Sequence, residues 1–274
     1  MPGPNRTGAE DFLATHLDLA APFSWDVRQQ NMNALNSHDT ARAATVMIDG
    51  GQRLGAVLMF TLPGVPVVHA GDEFGLKGNN GEASRTPMPW NDPDRVLADL
   101  REDYAALAAL RREQSALTGG GIRWLHAEGD ALSFVREAAG SSVLVVVIRA
   151  AADVHLAPGS LNVAQRVALD GDSAFSTGHI SAHINPGHLD TGQSSADPLA
   201  GGQIRAGGRA GGQIRAGGRA GGQIRADGTA PGALICTRGA AAAVWVLPGT
   251  PLPRAAPRLT PVSAPPSGAP GSAP

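Results

Sequence analysis

Apolar residues along this chain follow two rhythms, and the change falls near residue 120. "NMNALN" (residues 31–36) alternates apolar and polar positions as a strand does, and it runs into "SHDTAR". "GQRLGAVLMFTL" (51–62) has the length and apolar content of a helix packed on a sheet, ended by Pro63 and Gly64. "VPVVHA" is short, β-branched and turn-bounded, which predicts a fully buried parallel strand. Strand, helix and strand in that order make a βαβ unit. Leu97, Leu100, Tyr104, Leu107 and Leu110 then recur at helical spacing, with Asp92 or Asp94 available as the cap. After "TGGG" the runs "IRWLHA", "ALSFVRE" and "SVLVVVIRA" are separated by Gly, Asp and Ser turns and predict a smaller antiparallel β domain. A domain boundary near Gly120 follows.

The β pattern is interrupted at about residues 158–232, which are rich in Gly, Ala and Ser, and resumes in "ALICT" and "AAAVWVLP". Inside the interruption "AGGQIRAGGR" occurs at Ala200 and again at Ala210, with a partial copy from Ala220. Units this short cannot stack as a solenoid, and ordering their glycines costs more than their few apolar atoms return, so the insertion is expected to be disordered. Residues 249–274 form a Pro/Ala/Ser tail without periodicity. The expected organisation is therefore 1–120, then 121–248 with the insertion, then the tail.

Composition narrows the function classes. The formal charge of -2 gives no global reason to expect nucleic acid or an anionic membrane. One cysteine, Cys236, excludes an internal disulfide and a multi-thiolate zinc site. The first residues show no secretory signal pattern, no segment has the length of a membrane span, and a cytoplasmic location is the expectation. The triplet at Asn5 matches a glycosylation sequon but lacks that secretory context.

The chemistry concentrates in two places. "AGDEFGLKGNNGEASRTPMPW" (70–90) is a highly polar loop leaving the C-terminal end of a predicted strand, where α/β enzymes keep their binding groups. "NSHDTAR" (36–42) sets His38 beside Asp39. In a sugar-cleaving site such a carboxylate can bind hydroxyls and stabilise positive charge at the anomeric carbon. The plainer alternative is a strand-end turn in which Asp39 caps a helix through Thr40.

"MNALNSHDTAR", "FTLPGVPVVHAGDEFGL" and "SRTPMPW", in that order and spacing, resemble consecutive motifs of the α-amylase family of glycoside hydrolases, especially its α-glucosidase and neopullulanase-like members. The resemblance implies an α/β fold: strands seven and eight of a (β/α)8 TIM barrel with flanking helices, followed by a small antiparallel β-sandwich. It implies that Asp39 is the third catalytic carboxylate, which stabilises the transition state. His38 and Arg85 become binders of the sugar in the cleavage subsite, and Asp72 and Glu73 match a loop-shaping "GDE" turn. Pro87 and Trp90 would pack the loop, or Trp90 would stack on a sugar. The family's nucleophile and acid/base lie after the fourth and fifth strands, and residues 1–30 carry only Glu10, Asp11, Asp18 and Asp26, none in a matching motif. "DFLATHLDLAAPFSWDVRQQ" resembles the sixth barrel helix and its link onward.

Retaining glycosidases need two carboxylates about 5 Å apart. The chain is thus expected to be a C-terminal part of the family fold, inactive on glucans alone and poorly soluble. It would be either a broken reading frame or a subunit completed by a separate N-terminal half. The expected partner molecule is an α-glucan or α-glucoside oligosaccharide, with no cofactor and no metal.

Weaker signals give rival readings. His179, His183 and His188 near Asp190 have partial zinc spacing, but Pro186 and Gly187 argue for loop histidines. Arg205, Arg209, Arg215, Arg219 and Arg225 on a Gly-rich backbone resemble RNA-binding segments, yet no aromatics are interleaved for base stacking. A non-catalytic carbohydrate-binding role could use Trp124 and Trp245, although both sit in alternating strand patterns that favour core packing.

Overall fold

The computed structural model describes residues 7–92, 97–157, 159–184 and 233–249. Asn5, Asp94, Pro186 to Asp190, all of the decapeptide repeats with their arginines, and the tail from residue 250 lie outside the described residues.

Helices α1 (Ala9–Ala20) and α2 (Trp25–Gln30) lead into a short strand, β1 (Met32–Asn33). A one-turn helix, α3 (Ala43–Val46), precedes α4 (Gly51–Thr61), and β2 (Val65–Pro66) follows. The two strands pair in parallel, Met32 with Val65 and Asn33 with Pro66, around α4, so the βαβ unit is present. Gly64 makes the close return possible. Its φ is 125°, and a Cβ there would lie 2.7 Å from the Asn31 carbonyl oxygen.

Both strands are shorter than the alternation predicts, and the second is not fully buried. Beyond β2 a single further bond, Val67 N–H to the Asn33 carbonyl at 2.8 Å, continues the ladder. Past that point side chains take over the pairing, with Asn36 engaged by His69 and Asp72, while before β2 Asn33 donates to the Pro63 carbonyl. Val65 and Val68 are exposed because no further strand flanks the pair among the described residues.

The polar loop contains a 3-10 turn (Asp72–Phe74) and α5 (Gly81–Ser84), and it leads to α6 (Ala98–Glu113) and α7 (Ser115–Gly119). Asp92 does not cap α6: the N-cap position is Leu97, without a side-chain bond, and Asp99 in the first turn faces the helix dipole instead. From Gly121 the strands are β3 (Gly121–Glu128), β4 (Ala131–Ala138), β5 (Ser141–Ile148), β6 (Asp153–Leu156), β7 (Phe175–Thr177), β8 (Ile180–Ile184), β9 (Ala233–Thr237) and β10 (Ala241–Pro248). They form an antiparallel sheet of order β3-β4-β5-β10-β7 and a second of order β6-β9-β8.

The start of the expected disordered insertion is instead built into this unit. Asn162 and Gln165 form a capping box on α8 (Val163–Ala168), and Leu161, Leu169, Phe175 and Ile180 are buried. Those apolar residues give this stretch its core contact.

The five-stranded sheet is buried on both faces. Phe134, Val143, Val145 and Val244 pack with Val57 and Phe60 of α4 and with Leu107 and Leu117 of α6 and α7. On the other face Val135, Leu144, Val146 and Trp245 pack against Val154, Ile180 and Ile235 of the smaller sheet. Two arginines, Arg136 buried and Arg111 half-buried, tie the halves. Arg111 donates to the carbonyls of Phe60, Leu62 and Gly64, and Arg136 to those of Thr61, Gly120 and Gly121. The Phe60 and Thr61 carbonyls are among those that the end of α4 leaves without helical partners, while Gly120 and Gly121 lie where α7 gives way to β3. Burial lowers the pKa of each, and Arg111 lowers that of Arg136 further. No helix among the described residues is long and apolar enough to cross a membrane.

Candidate functional site

Two loops leave β1 and β2 on the same side of the parallel pair, and a buried ion pair fixes them together. Arg42, 1% exposed, donates to Asp72 Oδ1 at 3.0 Å, to the Ala70 carbonyl at 2.8 Å, and through Nη2 to the Ser84 carbonyl at 2.7 Å. Asn36 donates to the other oxygen of Asp72 at 2.8 Å, and Gln52 of α4 donates to the Asp72 backbone carbonyl at 2.6 Å. Burial raises the Asp72 pKa, opposed by Arg42 and then Asn36. Glu73 accepts from the Gly71 amide and closes its own turn. The "GDE" segment thus shapes the loop from beneath.

Above this base lie the three residues singled out by sequence, which come together at the surface. Arg85 Nη2 stands 3.1 Å from Asp39 Oδ1, and His38 Nε2 stands 3.2 Å from Asp39 Oδ2. Arg85 Nε also donates to the His38 carbonyl at 3.3 Å, and its Nη1 meets Glu82. His38 and Asp39 are about two-thirds exposed, so their hydrogen-bonding atoms face solvent. Gly81 at the start of α5 allows this approach, since a Cβ there would sit 3.1 Å from the Asp39 backbone. Asp39 does not cap a helix: Ser37 and Thr40 close the turn with each other, and the Asp39 amide donates to Ser37 Oγ. A carboxylate held between a guanidinium and an imidazole at an open rim can meet the hydroxyls of a ligand and stabilise positive charge on it.

Sequence reasoning missed Arg42, Asn36, Gln52 and His69. The Asn36 carbonyl lies 2.8 Å from His69 Nδ1, and burial followed by the Arg42 charge lowers the His69 pKa. Arg42 carried a faint local signal, standing three residues after Asp39 in "HDTAR". The other three had none, because their partners are distant in the chain. Trp90 is exposed and meets Phe74 edge-on. Trp124 packs on Phe134 and His16, and Trp245 is buried in the core. His179 precedes β8 and His183 lies in it, so their spacing is not that of helical neighbours. The described residues hold no cluster of three metal-ligating side chains.

Residues 16–117 match the model of the α-amylase catalytic domain. The chain is similar to a cyclomaltodextrinase of Thermoanaerobacter pseudethanolicus, with 30% identity over 53% of this chain and 27% of that protein. It is similar to neopullulanase 2 of Thermoactinomyces vulgaris, with 36% identity over 42% of this chain and 20% of that one. It therefore spans about a quarter of the length of these relatives. Among solved structures, a cyclomaltodextrinase is 31% identical with a TM-score of 0.51, covering 58% of this chain and 27% of that chain. The debranching enzyme of Nostoc punctiforme gives a TM-score of 0.60 over 88% of this chain and 40% of that one; at 16% identity this likeness concerns the fold alone. These likenesses imply a fold that contains a TIM barrel; among the described residues β1 and β2 form a two-stranded parallel sheet joined through α4, and no barrel is closed. With "NSHDTAR" and the 70–90 loop inside the matched region, residues 16–117 are identified by similarity as part of an α-amylase-family glycoside hydrolase catalytic domain.

Proposed function

We propose that this chain carries the sugar-binding and charge-stabilising side of a site for retaining hydrolysis of α-glucosidic bonds in oligosaccharides. The observation that carries the reading is the meeting of Asp39, Arg85 and His38 on one exposed rim above the Arg42–Asp72 base. Asp39 stabilises the oxocarbenium-like transition state, while Arg85 and His38 donate to hydroxyls of the same glucose unit. α-Glucosidase-like action on short glucans is the finer form of this reading.

The reaction also needs a nucleophile and an acid/base about 5 Å apart. Asp39 meets a guanidinium and an imidazole rather than a second carboxylate, so the proposal assigns those two groups to polypeptide beyond these 274 residues. In this reading residues 1–120 are the last part of a barrel, residues 121–248 a β-sandwich with an insertion, and an N-terminal half completes the site. Support for that partner comes from the open edges of β1 and β2 and from exposed Leu19, Met32 and Val65, since parallel sheets are normally covered on both faces.

The test is a chimera in which residues 31–90 replace the matching segment of the T. vulgaris neopullulanase 2. The chimera should cleave α-glucans, and Asp39→Asn within it should lower kcat by roughly 10²–10³-fold. The 274-residue chain alone should turn over none. Turnover by the chain alone, or an Asp39→Asn chimera of undiminished activity, would refute the assignment.

A further inference from the structure

Hydrogen bonds running from Arg42 to His69 have a direction that can be read from one end. The Asp72 carboxylate, ion-paired with Arg42, can only accept, so the amide nitrogen of Asn36 is the atom that faces it at 2.8 Å. The Asn36 carbonyl is thereby turned to His69 Nδ1 at 2.8 Å. A carbonyl also only accepts, so the proton sits on Nδ1. Burial and then the Arg42 charge lower the His69 pKa from 6.5, which keeps the ring neutral at pH 7. A neutral imidazole with its proton on Nδ1 carries a lone pair at Nε2. No described residue donates to that atom.

His69 is half-buried, leaves β2 beside the 36–42 loop, and lies near enough to His38 that a charge on His38 acts on it. We infer that His69 is a substrate-positioning residue of this site, its Nε2 a fixed acceptor for one sugar hydroxyl beside Asp39 and His38. The chemistry is complementary. Arg85 offers only donors and His38 can donate, and a second carboxylate at this place would need its own counter-ion. A cationic imidazole would oppose the positive charge that Asp39 is there to stabilise. A neutral acceptor does neither.

The ligand's identity rests on the glucoside reading, whereas the tautomer rests on Asp72 and Asn36 alone, and one experiment separates them. The full chain labelled with ¹⁵N-histidine is studied by NMR at pH 7 and titrated with maltotriose, and His69→Phe assigns the resonances. The expected result is a neutral His69 with its proton on Nδ1, and an Nε2 resonance that moves on adding maltotriose together with those of His38. His69→Phe should weaken maltotriose binding by about tenfold, the worth of one hydrogen bond. Asn36→Ala should release the ring to the other tautomer. A protonated Nε2 in the parent chain, or maltotriose shifts at His38 with none at His69, overturns the inference. Shifts at neither histidine overturn the sugar contact together with the glucoside reading, and the tautomer measurement still decides the hydrogen-bond chain.

Discussion

Arg42→Met is the most direct test of how the two loops are held together. Methionine keeps the unbranched stem and removes the guanidinium. Four acceptors then lose their donor: Asp72 Oδ1, the Ala70 carbonyl, the His69 carbonyl at the long distance of 3.5 Å, and the Ser84 carbonyl, which takes two of the bonds. The Asp72 carboxylate, 3% exposed, would keep only Asn36. Breaking a buried pair from one side costs about 3–5 kcal/mol, mostly because the survivor is left uncompensated. The survivor can escape by taking up a proton, and this gives the prediction a pH signature.

Asp72 already has its folded pKa raised above the unfolded 3.8 by burial, and losing Arg42 raises it further. A raised folded pKa on an acid means that folding favours the protonated form. The stability lost at pH 7 therefore returns as pH falls through the variant's folded pKa toward 3.8. Urea unfolding followed by tryptophan fluorescence should show a deficit of about 3–5 kcal/mol at pH 7 that narrows at pH 5, and Asp72→Asn in the Arg42→Met background should recover part of it. A deficit below about 1 kcal/mol at pH 7, or one unchanged at pH 5, would refute the reasoning.

Three further perturbations probe the frame around the site. Tyr104 is the chain's single tyrosine, and burial pushes its pKa from 10.0 to about 12, so phenolate absorbance should rise near pH 12 in the folded chain and near 10 in urea. Folding favours the neutral phenol, so stability holds below pH 10 and falls by on the order of 2–3 kcal/mol between 10 and 12; coincident titrations would contradict the packing. Gly64→Ala should destabilise by more than about 1 kcal/mol, since φ is positive there and the Asn31 carbonyl is too close for a Cβ, and a neutral thermal melt would mean the turn is laxer than described. Arg136→Met should lower stability in urea by about 2 kcal/mol by leaving the Thr61, Gly120 and Gly121 carbonyls without their donor, whereas no change would mean that water serves them.

What could be read from the sequence divides by the range of the interaction responsible. Helix α4 and the strands from β3 to β5 carry their period within themselves, and the structure has them where the pattern predicts. The shortness of β1 and β2 is not a local property. "VPVVHA" reads as buried because burial is what a β-branched run normally meets, yet a parallel pair buries both faces only when other strands and helices supply the cover. The helix and strands after Pro158 were hidden for the opposite reason. The eye follows the glycine repeats, while the capping box at Asn162 and Gln165 and the apolar residues around it are a sparse signal inside a biased stretch.

The candidate site divides in the same way. His38 and Asp39 are adjacent, and Arg85 belongs to a recognisable neighbouring motif, so the rim was legible. The base beneath it joins Asn36, Arg42, Gln52, His69 and Asp72 across as many as 36 residues of chain, and nothing in the spacing of such residues announces that they meet. The rim side chains are joined to one another by exposed ion pairs that solvent screens, worth at most about 1 kcal/mol each. Their geometry is therefore inherited from the buried network, through Ser84 next to Arg85 and Asn36 three residues before Asp39. A substitution at Arg42, which touches no residue of the rim triad through its side chain, should accordingly disturb the rim more than a substitution at Glu82, which touches Arg85 directly.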